Sequence, residues 1–511
     1  MTGCPCVCIC RWLVVSALST FCLWRSFDAA SAYFDADDAY AYSASWRSAA
    51  RLAPKGNIAL LGTGADRIAP IDRSRLIAIS WERAPDPLSL VDENGDFGRV
   101  DCVFSSAWHS SSARRKLESK GFAVVASNEY VKTWARKGAV GSESSADVPG
   151  VSTTRELIAL LLELSLLIAV AGFATGCRRG LLRSSVASIL VMTALGCVAM
   201  SHPLLEPNGL GVYGGKAKLW FLCGGMPSWF MASSGGAVLQ PAYPPGATVL
   251  AYLHFVVSGG CGDRLVQLLP VFATGLLCFL LLRDVRHRLM ALPVVLFCLS
   301  PLTIRLTSGF YAEPFVALLL VTGWGLMREG RGRTASFVVG TAGMFRPEAG
   351  VVAAVFAFFG GWFRGGVRAA CSSAALASVP MLAWLAACAV FGFGTVPDWN
   401  FLAPPKTELV VLAAGELLKS LTELAIPVFV IVLLVHPVSF VNSVADGARR
   451  FCRGFMSAAI PAVLLLLAIP FVCGFHDSSY SEWMIGNTVP RLVWYLLAIP
   501  FAVSLRSVCR F

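Results

Sequence analysis

The sequence predicts a mainly α-helical protein: a polytopic transmembrane bundle, preceded by an N-terminal signal or anchor segment and a small exported α/β domain. Three observations carry this. The 511 residues are 56% hydrophobic and only 14% charged, too apolar for a single soluble core. From residue 156 to the end, apolar runs alternate with short loops rich in Arg. The net charge of +11 gathers in those loops, the pattern of a positive-inside membrane protein and not of a nucleic-acid binder. The 17 Cys are mostly scattered through apolar segments, as at Cys197, Cys278 and Cys388, where they act as small hydrophobes. No CxxC pair or Cys/His cluster of zinc spacing occurs, so neither a metal nor a cofactor is expected.

Taken in order, the chain opens with Cys4, Cys6, Cys8 and Cys10 before Arg11, an apolar core over 12–24, then Arg25. Ala30-Ser31-Ala32 follows, so residues 1–25 read either as a signal peptide cleaved after Ala32 or as an uncleaved anchor. Residues 26–150 form the long polar region, large enough for a soluble domain. A helix is expected over 35–52, strands over 57–61, 76–80, 100–105 and 123–126, and a helix over 113–120. Gly62-Thr63-Gly64 lacks the rest of a phosphate-loop motif and reads as a turn. Asp35, Asp37 and Asp38 read as a solvated helix start, not a metal site.

A Ser-rich linker over 142–152, ending by 156, leads into the membrane domain, residues 157–511. The run 157–177 ends at Arg178-Arg179, which places that end in the cytoplasm and the polar domain outside. Residues 184–200 return outward to a weakly apolar loop over 202–246. The run 247–258 is short for a span and reads as interfacial or re-entrant, extending the outer loop to 262. This lets the basic stretch 283–288 fall inside, and the alternation then holds through 289–304, 315–327, the half-length pair 334–344 and 351–363, 369–394, 424–435, 455–473 and 492–505. The count is about eleven spans after the linker, by length and charge rules.

Ionisable residues at membrane depth are costly and mark function. At the expected outer ends stand His202, Glu206, Lys216 and Lys218, with Tyr243-Pro244-Pro245 closing their loop. Glu313 precedes Pro314, Arg346 and Glu348 flank Pro347, and His476, Asp477, Glu482 and Arg491 lie near the last outer loop. Lys216 and Lys218 are equally readable as snorkelling at the interface. Glu313 is readable as a favourable acid at a helix start. Pro347 frees backbone groups that a lined cavity would satisfy.

In order, Pro207-Asn208-Gly209, Tyr213 through Lys216-Ala217-Lys218, Tyr243-Pro244-Pro245, Gly309 through Glu313-Pro314, Arg346-Pro347-Glu348-Ala349-Gly350 and Trp483 to Arg491-Leu492 resemble the motifs of GT-C membrane glycosyltransferases. The likeness is to the protein-mannosyltransferase and aminoarabinose-transferase type, over roughly residues 156–505. The resemblance implies transfer of a sugar from a polyprenyl-phosphate donor to a lipid, glycan or protein acceptor at the outer face, usually with inversion, in a bacterial inner membrane. It implies a carboxylate base in the first outer loop and cations on the lipid phosphate. The expected Asp is replaced by Asn208, so the base role passes to Glu206 or Glu313, or activity is lost. Lys216, Lys218, Tyr243, Arg346, Glu348 and Arg491 are then the substrate-binding residues. A non-catalytic protein or a transporter of lipid-linked glycans is the alternative.

Overall fold

The computed structural model describes residues 5–34, 58–61, 76–80, 101–106, 111–127, 131–136, 181–201, 208–222, 224–225, 243–260, 263–283, 291–391, 404–425, 464–470 and 481–508, with single positions at 158, 161, 164 and 473. The described residues are mainly helical. Two helices among them are long and apolar enough to cross a membrane, within Ser184–Ser201 and Pro347–Phe391, and a bent pair makes a third if counted as one span. The expected spans over 157–177, 424–435 and 455–473 fall wholly or largely outside the described residues, as does the expected helix over 35–52.

Helix α1, Pro5–Phe34, does not stop at Arg25; its 30 residues run through Ala30-Ser31-Ala32. Val15 is buried in the bundle, and the Ser19 hydroxyl donates to the Val15 carbonyl at 2.7 Å.

The polar region holds a five-stranded sheet in the order β2-β1-β3-β5-β4. Its strands are β1 (Ile58–Leu61), β2 (Leu76–Ser80), β3 (Cys102–Ser106), β4 (Phe122–Ser127) and β5 (Val131–Arg136). The first three pair in parallel, and β5 runs antiparallel between β3 and β4. The helix expected over 113–120 is α2, Ser111–Ser119, and Gly121 at φ 84° turns it into β4. Strand β5 was not expected. Lys132 and Arg136 flank three successive buried residues, Thr133, Trp134 and Ala135, so the alternation that announces a strand is lost.

The membrane bundle begins with α3 (Leu181–Ser201), followed by a π-helical turn Asn208–Tyr213, α4 (Gly214–Leu222) and α5 (Gly246–Ser258). Helices α4 and α5 pack together through Trp220 on Tyr252 and Phe221 on Phe255. The expected open loop thus contains a buried helix. At 13 residues, α5 reaches about 20 Å, short of a full crossing. Next come α6 (Leu268–Arg283), α7 (Ala291–Cys298), α8 (Pro301–Ser308) and α9 (Glu313–Arg328). Helices α7 and α8 are one apolar run bent by 49° where Pro301 interrupts it.

Helix α9 is the centre. Fourteen of its 16 residues are buried, because α6, α10 (Gly332–Gly340) and α13 (Ser481–Val508) surround it. A 3-10 turn, Thr341–Met344, joins α10 to α11 (Pro347–Phe391), which breaks at Gly365-Gly366, where Gly366 has φ 71°. The break falls in the basic turn expected at 364–368. Helix α12 (Thr407–Ser420) lies against α13. The last helix starts at Ser481, eleven residues before the expected span, so Arg491 sits inside a helix and not at its mouth.

Charges separate into two poles. Arg283 at the end of α6 faces Glu329 beyond α9, Arg328 lies over the Trp324 ring at 5.2 Å, and Arg364 approaches Gly332. The other pole, about 24 Å away along the 16-residue α9, holds Glu313.

Close approach of α10 to the second limb of α11 requires glycine, since a Cβ on Gly340 would stand 2.3 Å from the Ala377 carbonyl oxygen. Gly340→Ala should therefore cost about 1–3 kcal/mol through overpacking. Gly415→Ala, in α12 with nothing within 4 Å of the added carbon, should be neutral or stabilising. Thermal unfolding in detergent compares the two; equal midpoints would contradict the packing.

Candidate functional site

The polar pole forms where three chain reversals meet. Helix α8 ends in a Schellman turn: Tyr311 N–H donates to Leu306 O at 3.0 Å and Phe310 N–H to Thr307 O at 3.4 Å. The left-handed position normally given to glycine is occupied by Phe310, at φ 53° and fully buried. That conformation costs a non-glycine residue about 1–2 kcal/mol and persists only where packing enforces it. The turn delivers Tyr311 and Ala312, and then Glu313 as the first residue of α9 with Pro314 behind it.

The second reversal is Phe345-Arg346 between the 3-10 turn and α11. Phe345 stacks on Phe315 of α9 at 5.2 Å, which draws Arg346 to the head of α9. The third is Tyr243-Pro244-Pro245, which seats Gly246 so close to Met344 that a Cβ would lie 2.6 Å from the Met344 carbonyl oxygen.

Four charges converge there. Glu313 is fully buried, and its Oε1 accepts from Arg346 Nη1. Arg346 also donates through Nη2 and Nε to the two oxygens of Glu348, at 3.0 and 3.3 Å. Arg491, from α13, brings its Nε to 3.4 Å from the same Glu313 Oε1 and lies 5.0 Å over the Tyr311 ring. Burial of so much charge is tolerable only because each ion faces an opposite one. The predicted residues Glu313, Arg346, Glu348 and Arg491 are thus one cluster, and Glu313 does more than start its helix.

The cluster is not closed. Among the described residues, Glu313 Oε2, Arg491 Nε and Nη1, Tyr495 Oη and Asn487 Oδ1 are buried without a hydrogen-bond partner. Asn487, Arg491 and Tyr495 are four residues apart and so share one face of α13. Such groups are costly to leave empty-handed, which makes the cluster the candidate site for a polar ligand. Tyr213 and Tyr243 meet edge to face at 5.9 Å beside it. Burial pushes the Tyr243 phenol up to about 12 and the Tyr213 phenol well above its ordinary value, so both remain protonated donors at neutral pH.

For Lys216 and Lys218 the sequence left ligand binding and snorkelling open, and the structure decides against snorkelling. Both are buried, at 1% and 4% exposure. Lys216 Nζ donates to the Tyr243 carbonyl at 3.2 Å, which braces the Tyr243 turn from the side of Cys388. Two residues apart on a helix, about 200° around, the lysines cannot share one ligand from one face. Burial brings Lys216 down to about 7.

Glu206, His202, His476 and Asp477 lie outside the described residues. Sequence reasoning missed Tyr311, Asn487 and Tyr495. The four-residue spacing of polar groups in an apolar helix was the signal for the last two, whereas nothing in the sequence announced the stacking of Tyr311. Comparison of the chain with family models, curated proteins and solved structures finds no match. The class that the fold defines is a mainly helical protein with helices long and apolar enough to cross a membrane and a buried ionic cluster.

Glu313→Gln removes the carboxylate that two guanidiniums share and should cost about 3–5 kcal/mol, seen as a lowered unfolding midpoint. An unchanged midpoint would show that the cluster is not formed. Lys216 supplies a pH test. Its folded value lies below its unfolded one, so the unfolded chain binds the extra proton between about 7 and 10.5, and stability rises with pH across that window. Lys216→Met should abolish this increment, leaving a flatter unfolding profile above pH 7.

Proposed function

We propose that the chain is a glycosyltransferase of GT-C type, moving a sugar from a polyprenyl-phosphate donor to an acceptor at the outer face of the membrane with inversion. The bundle of about eleven spans, the placement of residues 26–150 outside and residence in a bacterial inner membrane belong to this reading. One observation carries it. A buried cation with an open N–H, Arg491, stands beside a buried carboxylate with an open oxygen, Glu313. An acceptor hydroxyl attacks the anomeric carbon, the bond to the phosphate oxygen breaks, and the hydroxyl proton passes to a carboxylate. Arg491 takes the charge that develops on the departing lipid phosphate.

Glu313 Oε2 and Glu206 are the two bases this reading offers. Arg346, engaged by both Glu313 and Glu348, holds the cluster in place, and Arg491 is the main phosphate ligand. Tyr213 and Tyr243 add phenol donors. Asn208, where the resembled family places Asp, favours a second reading in which the same cavity binds a lipid-linked glycan without reacting.

Purified protein in lipid, given a polyprenyl-phosphate sugar and an acceptor extract, should release polyprenyl phosphate and label the acceptor. Arg491→Met should lower kcat by about 10²–10³-fold. Because Glu313→Gln also loosens the cluster, the base is identified by which of Glu206→Gln and Glu313→Gln abolishes transfer in folded protein that still binds the donor. Binding of the donor without transfer, untouched by either change, would support the second reading and sink the first.

A further inference from the structure

We propose that Tyr311 is a positioning residue, held by the Phe310 turn so that its ring seats the Arg491 guanidinium, whose Nη1 is left open to an anionic phosphate ligand. The placement is built from three features. Phe310 takes the left-handed position of the Schellman turn although it carries a side chain, and it is fully buried, so this conformation is enforced by its surroundings. The turn fixes Tyr311 through its N–H to Leu306 O, at 3.0 Å, and Tyr311 is itself fully buried. Arg491 Cζ then stands 5.0 Å over the ring.

Arg491 is set over the face of the Tyr311 ring, a cation–π contact. Such a contact holds the cation through its charge and makes no conventional hydrogen bond with an N–H group. Nε is turned toward Glu313 Oε1 at 3.4 Å, and Nη1 is buried without a partner among the described residues. Arg346 shows the contrast. It bonds in plane through Nε, Nη1 and Nη2 and has no comparable open edge. Tyr311 therefore holds Arg491 in place without a conventional hydrogen bond to its donors.

The identification of the ligand as the phosphate of a polyprenyl carrier rests on the proposed function; the stacking does not. Two measurements keep them apart. A double-mutant cycle of Tyr311→Leu and Arg491→Met, read by thermal unfolding, tests the pair without any ligand. Non-additive changes are expected, with Tyr311→Phe close to wild type; strictly additive changes would overturn the positioning role. Polyprenyl phosphate and inorganic phosphate are then titrated separately. Tyr311→Leu should weaken polyprenyl phosphate binding about tenfold, Tyr311→Phe should restore it, and in the Arg491→Met background Tyr311→Leu should have no further effect. Weakening that persists without Arg491 would overturn the proposal. Coupling in the cycle, with binding of inorganic phosphate but no preference for the polyprenyl form in the wild type, would instead uphold the positioning role and reject the lipid carrier.

Discussion

Everything at the polar pole depends on one buried carboxylate. Glu313 heads a helix that is buried over nearly its whole length and is itself fully buried, so water does not screen its charge. A carboxylate in such a place must be answered by cations, and the cations must arrive from other parts of the chain. Arg346 comes from the corner before α11 and Arg491 from the last helix, 33 and 178 residues away in sequence. Three remote segments are thereby tied to one atom, Oε1. The fold around α9 is the means by which this is done: α10 returns the chain to the level of Glu313, and α13 passes close enough to deliver its guanidinium.

The arrangement also explains why the other pole is basic and loosely organised. Helix α9 places its acid at the start, where the helix dipole favours it, and Arg328 at the end, where a cation is favoured. Arg283, Arg331, Arg333, Arg364 and Arg368 occupy neighbouring turns. Basic charge gathered in turns is what the sequence rule expects of loops on the cytoplasmic side, and Arg283 has Glu329 among its neighbours. One end is therefore specified by pairwise geometry and the other by composition.

That contrast decides how much was legible in the sequence. Composition and run length gave the helical class, the short α5 and the break near Gly365-Gly366, but not the bend between α7 and α8, since 289–304 reads as one unbroken span. Strands β1 to β4 were readable from β-branched runs between polar stretches, whereas β5 was hidden by a pattern with three buried residues in a row. Glu313, Arg346, Glu348 and Arg491 were legible because charge in an apolar setting is conspicuous. Their pairing was not, since nothing local to Arg491 points to Glu313. The buried helix α4 was read as loop because its Gly-Gly start and two lysines look like solvent-facing chain; the bond from Lys216 to the Tyr243 carbonyl, remote in sequence, helps make burial tolerable.

The two arginines of the cluster differ in what remains to them, and this difference is the strongest pointer to what the cluster is for. A purely structural ion cluster tends toward closure, because every open buried donor is a loss. Arg346 meets that expectation, engaging carboxylates on two helices. Arg491 does not, and the groups around it, Glu313 Oε2, Asn487 Oδ1 and Tyr495 Oη, are open as well. These open atoms include donors and acceptors on two helices that face each other, so they suit a ligand carrying both an anionic group and hydroxyls. Stability alone would have been better served by apolar residues at Asn487 and Tyr495. Their presence beside a half-engaged guanidinium suits a binding site better than a packing solution.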